Sequence, residues 1–338
     1  MRILTKNTVI GTIVFAALLL PGALIMGEPV LVGKSPPPAS HTVDFFDLCE
    51  SGTLAQVSAA IKAGAKVNTR NKNGFTPLMM AAAVNTNPDI IMALVSAGAD
   101  IHATDANGST PLVFAARDNG NPDIIAALVS AGENINARDK SGMTPLMEAA
   151  TSNTNPDVIA ALIMAGADVN ARDVSTATPL MDAASFNTNP AVITVLINAG
   201  ANVNAKRDNG ETPLMDAAGD NSLPEIITAL AKAGANVNAG DVSGWTPLIW
   251  AAKFSENPDM IAALVKAGAG VNARDDSGLT ALMNAAQSNT NPGIITALVK
   301  AGADMNLTDA RGETALVLAR QANNSQAVEE LIKAGAMK

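Results

Sequence analysis

Aromatic residues, cysteine and histidine are scarce in this chain of 338 residues. It has no tyrosine, and aromatic residues make up only 3% of the sequence. The core must therefore be built from small and aliphatic side chains. The single cysteine excludes an internal disulfide framework and a thiolate zinc site. The two histidines, His41 and His102, exclude the paired-histidine helix of a zinc protease and argue against any histidine-rich metal site.

Charged residues are also few, and the balance is acidic. They make up 16% of the chain, against roughly 25% in a typical soluble domain. The formal net charge is −9. A general nucleic-acid binder needs a basic face that neutralises phosphates. We therefore predict no nucleic-acid partner.

The N-terminus is predicted to direct the chain to a membrane. In residues 1–27, Arg2 and Lys6 precede an apolar run from Val9 to Met26. This pattern fits a cleaved signal peptide or an uncleaved membrane anchor, and the residues leave both open. In either case the rest of the chain is expected to cross the membrane and to contact it only through this segment. Residues 28–41 are proline-rich and are predicted to be an extended linker.

A strict repeat organises everything after residue 42. A threonine that opens Thr-Pro-Leu or Thr-Ala-Leu recurs every 34 residues. The eight opening threonines are Thr76, Thr110, Thr144, Thr178, Thr212, Thr246, Thr280 and Thr314. We number the repeats one to eight from these threonines. A fixed period of this kind predicts a solenoid, in which each unit buries its apolar face only against its neighbours.

The third repeat shows how each unit should fold. Thr144 is predicted to cap a first helix that begins at Pro145, since proline is favourable at the first helical position. Asn155 is predicted to cap a second helix that begins at Pro156. Gly166 should end that helix in a left-handed conformation. Each repeat is therefore predicted to be a pair of short helices.

These residues resemble the ankyrin repeat. The shared motifs are Thr-Pro-Leu-x-x-Ala-Ala, Gly-Ala-Asp-Val-Asn-Ala and Asp-x-x-Gly before the next threonine. The resemblance covers residues 42–338 and implies an all-α repeat solenoid of helix pairs joined by hairpin-like loops, with about nine units including caps. Two departures, Thr176 in place of the turn glycine and Arg207 in place of aspartate, predict irregular fourth and fifth hairpins.

The resemblance also implies a non-enzymatic role in protein–protein interaction, through the concave face and the hairpin tips, by a monomeric solenoid without cofactors. Residues at the hairpin tip and at four and eight positions after each threonine vary while the rest of the repeat barely changes. They form three zones and one further aromatic position. The predicted partner-binding residues are an apolar zone of Phe75, Met80, Phe114 and Met143, an acidic ladder of Glu148, Asp182 and Asp216, a cluster of Trp245, Trp250 and Phe254, and also Phe186.

The hypothesis is a groove that binds a partner segment, with a basic part over the acidic ladder and an apolar part on the tryptophans. The alternative is that these positions vary because they only face solvent. A second alternative is a structural one, in which the solenoid is a rigid spacer or a self-associating element of the cell envelope.

No catalytic set emerges from the sequence. Cys49 lies in a partly apolar helix and is predicted to be a buried structural thiol. The carboxylates recur with the repeat, so periodicity explains them better than acid–base pairing does. Because the leader and the regular Asn-Thr-Asn-Pro turns look bacterial, we expect an exported protein of the periplasm, or one anchored to the membrane by its N-terminus.

Overall fold

Serial helix pairs make up the described part of the chain. The computed structural model describes residues 44–221 and 223–336. The leader, the linker and the domain boundary predicted at residues 1–42 lie outside these residues and stay predictions. None of the described helices is long and apolar enough to cross a membrane. The helices are α1 Phe45–Ser51, α2 Leu54–Lys62, α3 Pro77–Val84, α4 Pro88–Ser96, α5 Pro111–Asp118, α6 Pro122–Ser130, α7 Pro145–Ser152, α8 Pro156–Met164, α9 Pro179–Phe186, α10 Pro190–Asn198, α11 Pro213–Gly219, α12 Pro224–Lys232, α13 Pro247–Phe254, α14 Pro258–Lys266, α15 Ala281–Ser288, α16 Pro292–Lys300, α17 Ala315–Gln321 and α18 Ser325–Lys333.

The helices begin and end where the local sequence predicts. The Thr144 hydroxyl accepts a hydrogen bond from the backbone N–H of Met147 at 3.3 Å, which caps α7. Asn155 caps α8 by accepting from the N–H of Asp157 at 3.0 Å. Gly166 follows α8 with a φ of 96°, in the left-handed region that favours glycine. Each predicted helix start and the predicted helix end in this repeat are therefore confirmed.

The helices stack in two rows. The odd-numbered helices contact one another in series, and so do the even-numbered helices. Alanines such as Ala149 and Ala150 are fully buried and let adjacent helices approach closely, while Leu146 and Ile159 fill the space between the rows. Cys49 lies in this core, and burial raises the pKa of its thiol to about 12. The predicted structural thiol is confirmed.

The expectation of irregular fourth and fifth hairpins is wrong. In the fourth, the N–H of Asp173 donates to the Ala177 carbonyl at 3.1 Å, and Thr176 adopts a φ of 64° where other repeats have glycine. The Thr176 hydroxyl also accepts a hydrogen bond from the N–H of Asp208 at 3.0 Å, which helps hold this conformation. In the fifth, the N–H of Arg207 donates to the Glu211 carbonyl at 2.9 Å. Backbone pairing therefore preserves the hairpins despite both substitutions.

Candidate functional site

The variable positions lie where the odd-numbered helices meet the hairpins. We call the residues four positions after the opening threonines the +4 column. Each lies one helical turn into its helix; for example, the N–H of Asp182 donates to the Thr178 carbonyl at 3.1 Å. The indole N–H of Trp250 donates to Oδ2 of Asp241, nine residues earlier in the hairpin, at 3.2 Å. In the sixth repeat, therefore, the +4 side chain meets its own hairpin. The column consists of Met80, Phe114, Glu148, Asp182, Asp216, Trp250, Asn284 and Leu318.

The tryptophan cluster forms as predicted in the sixth repeat. The ring centroids of Trp245 and Trp250 are 5.6 Å apart in an edge-to-face arrangement, and Phe254 lies 5.2 Å from Trp250. Lys253 of α13 places its ammonium 4.3 Å from the centroid of Trp245 in the preceding hairpin, which is a cation–π contact. Both indoles are half-buried, while Phe254 is 47% exposed. The cluster is thus a rigid aromatic group with one open side.

Gly219 makes room for this cluster. A Cβ atom at this position would lie 3.1 Å from Cε3 of Trp250 and 3.9 Å from Phe254. The predicted site residue Phe186 occupies the same helical position as Phe254, two repeats earlier, and is 59% exposed. Because of that separation, Phe186 is an isolated aromatic surface residue and belongs to no shared cluster with Phe254.

The apolar zone near the first repeats is partly a small core of its own. The rings of Phe75 and Phe114 meet edge to face with centroids 5.0 Å apart. Phe114 is only 5% exposed and is covered by Phe75 and the guanidinium of Arg117. Met80 and Met143 are half-buried. The structure therefore corrects the expectation of an open surface at Phe114, because this ring is used for packing.

The acidic ladder is also more buried than a solvated row of charges. Glu148 is half-buried, and Asp182 and Asp216 are only 7% and 4% exposed. Burial raises the pKa of Glu148, and it raises the pKa of Asp182 to about 7 with a further contribution from Asp173. Oδ2 of Asp182 and Oδ2 of Asp216 have no hydrogen-bond partner. The prediction of an exposed ladder is therefore wrong for these two aspartates, and their part in partner binding stays a prediction.

The two buried aspartates differ because Asp216 forms an ion pair with Arg207 and Asp182 does not. Nη1 of Arg207 lies 2.8 Å from Oδ1 of Asp216 and 2.8 Å from Oε2 of Glu211. Burial raises the pKa of Asp216, and Arg207 opposes that effect. In the sequence, Arg207 is visible only as a departure from the hairpin motif. Its pairing with Asp216 depends on how the hairpin packs against its helix, which no local pattern indicates.

Sequence reasoning missed a ladder of buried asparagines between the two helices of each repeat. Nδ2 of Asn153 donates to the carbonyls of Ala116 and Asn119 in the preceding repeat, at 2.9 and 2.8 Å. Its Oδ1 accepts from the N–H of Asn155 at 2.9 Å. The buried ladder asparagines are Asn85, Asn119, Asn153, Asn187, Asn221 and Asn289. The half-buried Asn324 makes similar contacts in the last repeat, and Ser255 takes the place of the sixth repeat's asparagine. These residues were interpreted as turn formers, although they join neighbouring repeats.

A second asparagine ladder runs along the loops after the even-numbered helices. Nδ2 of Asn136 donates to the Gly166 carbonyl at 3.2 Å, and its Oδ1 accepts from the N–H of Asp168 at 2.9 Å. The same pair of contacts recurs at Asn170 and Asn204. His102 occupies the equivalent position and is exposed. It therefore interrupts the ladder between the first and second repeats.

The described residues contain no group of three or more His, Cys, Asp or Glu side chains placed to hold a metal ion. The site consists instead of an aromatic cluster, a buried acidic stretch and hairpin-tip residues that are half-buried or buried. Such a surface offers shape, apolar area and negative charge to a partner.

The comparisons with known proteins agree with the helix pairs. Three segments of the chain, residues 78–173, 180–275 and 256–338, match the family described as ankyrin repeats (3 copies). They cover more than half of the chain, and the chain belongs to the ankyrin-repeat family. No curated protein matches it. Ankyrin repeats generally mediate protein–protein interaction, and proteins built from them are typically non-enzymatic.

Proposed function

We propose that this chain is a non-enzymatic adaptor that binds a segment of a partner protein across the hairpin side of its odd-numbered helices. In this proposal the N-terminal segment exports the chain or anchors it to the membrane, so that the solenoid acts in the cell envelope of a bacterium. The charge and hydropathy pattern of residues 1–27 supports the location.

The aromatic cluster is the observation that carries the binding role. Both tryptophans of the chain, together with Phe254, lie in one repeat of a protein that is otherwise poor in aromatic residues. Other repeats fill the +4 position with residues as different as Met80 and Asn284 and keep the same fold, so folding does not require tryptophan there. Rigid aromatic side chains with a polar handle are typical anchors of protein interfaces.

Affinity capture with crosslinking from the native envelope fraction tests the proposal. The full chain is compared with Phe254→Ala and Trp250→Ala, and Met164→Ala is the matched control, since Met164 is 87% exposed at the end of an even-numbered helix. We expect one protein to be enriched by wild type and by the control and lost with both cluster variants. Circular dichroism establishes that the variants fold.

The same experiment separates the adaptor from the structural alternative. If wild type and the cluster variants capture the same proteins, the aromatic cluster is not the binding site. If only further copies of the chain are recovered and sedimentation shows self-association, the spacer or self-associating element replaces the adaptor.

A further inference from the structure

The fourth and fifth repeats differ in the charge that their hairpins present to a buried aspartate. Arg207 opens the fifth hairpin and lies 2.8 Å from Asp216 of the same repeat. Asp173 occupies the equivalent position of the fourth hairpin, 34 residues earlier, and Asp182 is equivalent to Asp216. The fifth repeat therefore supplies its own cation, and the fourth repeat has an acid in that place.

Asp182 consequently lacks a counterion of its own. Its side chain is 7% exposed, and Oδ2 has no hydrogen-bond partner. The charged groups that act on it are Asp173 and Glu148, which disfavour its negative charge, and Arg207, which favours it. Arg207 is already paired with Glu211 and Asp216. A buried carboxylate without a partner is costly and is relieved by a cation.

We propose that a cationic side chain of the partner protein binds at Asp182, where it takes the role that Arg207 has in the next repeat. This inference rests on the proposed function and names the chemistry of the partner segment. Asp173 and Glu148 add negative charge near the site. The resulting negative electrostatic potential attracts a lysine or arginine of the partner. Arginine fits best because its planar guanidinium can donate to Asp182 and Asp173 together.

The position of Asp182 relative to the aromatic cluster sets the spacing in the partner. Helices α9, α11 and α13 stack in series, so Asp182 is two repeats away from Trp250. At a helix-packing distance of about 8–10 Å, the two sites are roughly 16–20 Å apart. An extended segment covers that distance in about five or six residues. The partner segment is therefore expected to carry an arginine or lysine about five or six residues from an apolar anchor.

The test uses a display library of random linear peptides selected on the full chain. The strongest binder is synthesised together with a version in which each arginine is replaced by the neutral citrulline and each lysine by norleucine. Five variants are compared with wild type: Asp182→Asn, Asp173→Arg, Asp173→Asn, Asp157→Asn and Phe254→Ala. Asp173→Arg supplies the cation within the chain, whereas Asp173→Asn keeps the Oδ1 atom that accepts from the backbone N–H groups of Ser175 and Ala177.

We expect affinity to fall at least about tenfold with Asp182→Asn and with Asp173→Arg, the loss typical of removing one side of a desolvated charge pair. Asp173→Arg also removes the acceptor of the Ser175 and Ala177 N–H groups, so circular dichroism must show that this variant folds. The exposed Asp157→Asn should bind within a factor of about three of wild type. Asp173→Asn removes one charge that the partner's cation is proposed to meet, so it should weaken binding, but less than Asp173→Arg does. The neutral peptide should lose no further affinity on Asp182→Asn.

Two results would overturn the inference. If Asp182→Asn and Asp173→Arg bind as wild type does while Phe254→Ala loses binding, the adaptor surface stands and Asp182 is only a buried acid. If no peptide is selected, or if Phe254→Ala and Asp182→Asn both bind as wild type does, the proposed binding surface fails and the inference fails with it.

Discussion

Two positions of the repeat differ in how much their residue varies along the chain. The residue nine positions after the opening threonine is asparagine in six of the seven repeats from Thr76 to Thr280, and it is buried in each of these six. The +4 column has seven different residue types in eight repeats, among them Phe114, Glu148 and Trp250. Both columns have the same spacing and the same helical framework. The difference is that the asparagine always meets two carbonyls of the preceding repeat, while the +4 side chain has no fixed partner in the chain.

Internal hydrogen-bond partners therefore explain where this protein repeats itself. A buried carbonyl has to be satisfied in every unit, and only a side chain of fixed length and polarity reaches two of them. A position that does not have to satisfy a buried carbonyl can hold different residues in different repeats. Four substitutions test this difference between the two columns.

Removing one asparagine from the buried ladder should cause the largest loss of stability. Asn153→Ala leaves the carbonyls of Ala116 and Asn119 and the N–H of Asn155 without partners. Since each unsatisfied buried group costs about 1–3 kcal/mol, we expect the free energy of unfolding to fall by about 3 kcal/mol. Urea denaturation followed by circular dichroism measures this. Ser152→Ala, at the exposed neighbouring position, is the control and should change stability by less than about 0.5 kcal/mol.

Removing a charge from the +4 column should instead raise the free energy of unfolding. The pKa of Asp182 is about 7 in the folded state against an ordinary value of 3.8. Between these pH values the folded state keeps a proton that the unfolded state has released, so stability decreases as pH rises through this window. Asp182→Asn removes this contribution. We expect the variant to be about 2 kcal/mol more stable than wild type near pH 5.5, in the middle of this window, and equal to it below about pH 3.

Urea denaturation across this pH range checks the prediction. Part of the pH dependence should persist in the variant, since burial also raises the pKa of Glu133 to about 7. Asp157→Asn is the control and should keep the wild-type dependence. A constant difference between Asp182→Asn and wild type at all pH values would show that titration of Asp182 is not the cause.

Repairing the asparagine column should give a smaller gain. Ser255 is too short to reach back to the preceding repeat, and its hydroxyl instead accepts from the N–H of Asn257 at 3.1 Å. Ser255→Asn should donate to the carbonyls of Ala218 and Asn221, which are equivalent to the acceptors of the other rungs. We expect about 1 kcal/mol of added stability in thermal or urea unfolding. Ser255→Ala, which adds no donor, must not reproduce that gain.

Repairing the exposed loop ladder should give the smallest gain. His102→Asn should donate to the Gly132 carbonyl and accept from the N–H of Asn134, by analogy with Asn136. Because these bonds are exposed to water, we expect about 0.5 kcal/mol. The melting temperature measures it. Equal melting temperatures for His102→Asn and His102→Ala would mean that the loop ladder adds no measurable stability.

Local signals were sufficient to predict the helices of this protein. Threonine or asparagine before proline begins a helix through contacts within four residues, and glycine ends one by its own conformational freedom. These rules placed α7 and α8 correctly in one repeat, and the 34-residue period extended them to the others. The aromatic cluster was predictable for a related reason, since Trp245, Trp250 and Phe254 lie within ten residues of one another.

The candidate site was less predictable wherever it depends on contacts between hairpins and helices. Phe114 and Asp182 were expected on an open face because their column varies, yet both are buried. Variation shows that a position lacks a fixed internal partner, but it carries no information about how closely the neighbouring hairpin covers it. Arg207 was likewise visible only as an unusual residue, because its contact with Asp216 spans nine residues and depends on the packing of the hairpin.

Local residue patterns were enough to predict the unit, the number of units and the ends of each helix, because these follow from interactions inside one period of the chain. They did not show which polar groups are buried, which carbonyls the asparagines join and which aspartate is left without a cation. Those properties depend on how one repeat covers the next. Burial sets the cost of an unpaired group, and that cost arises only when the repeats are stacked.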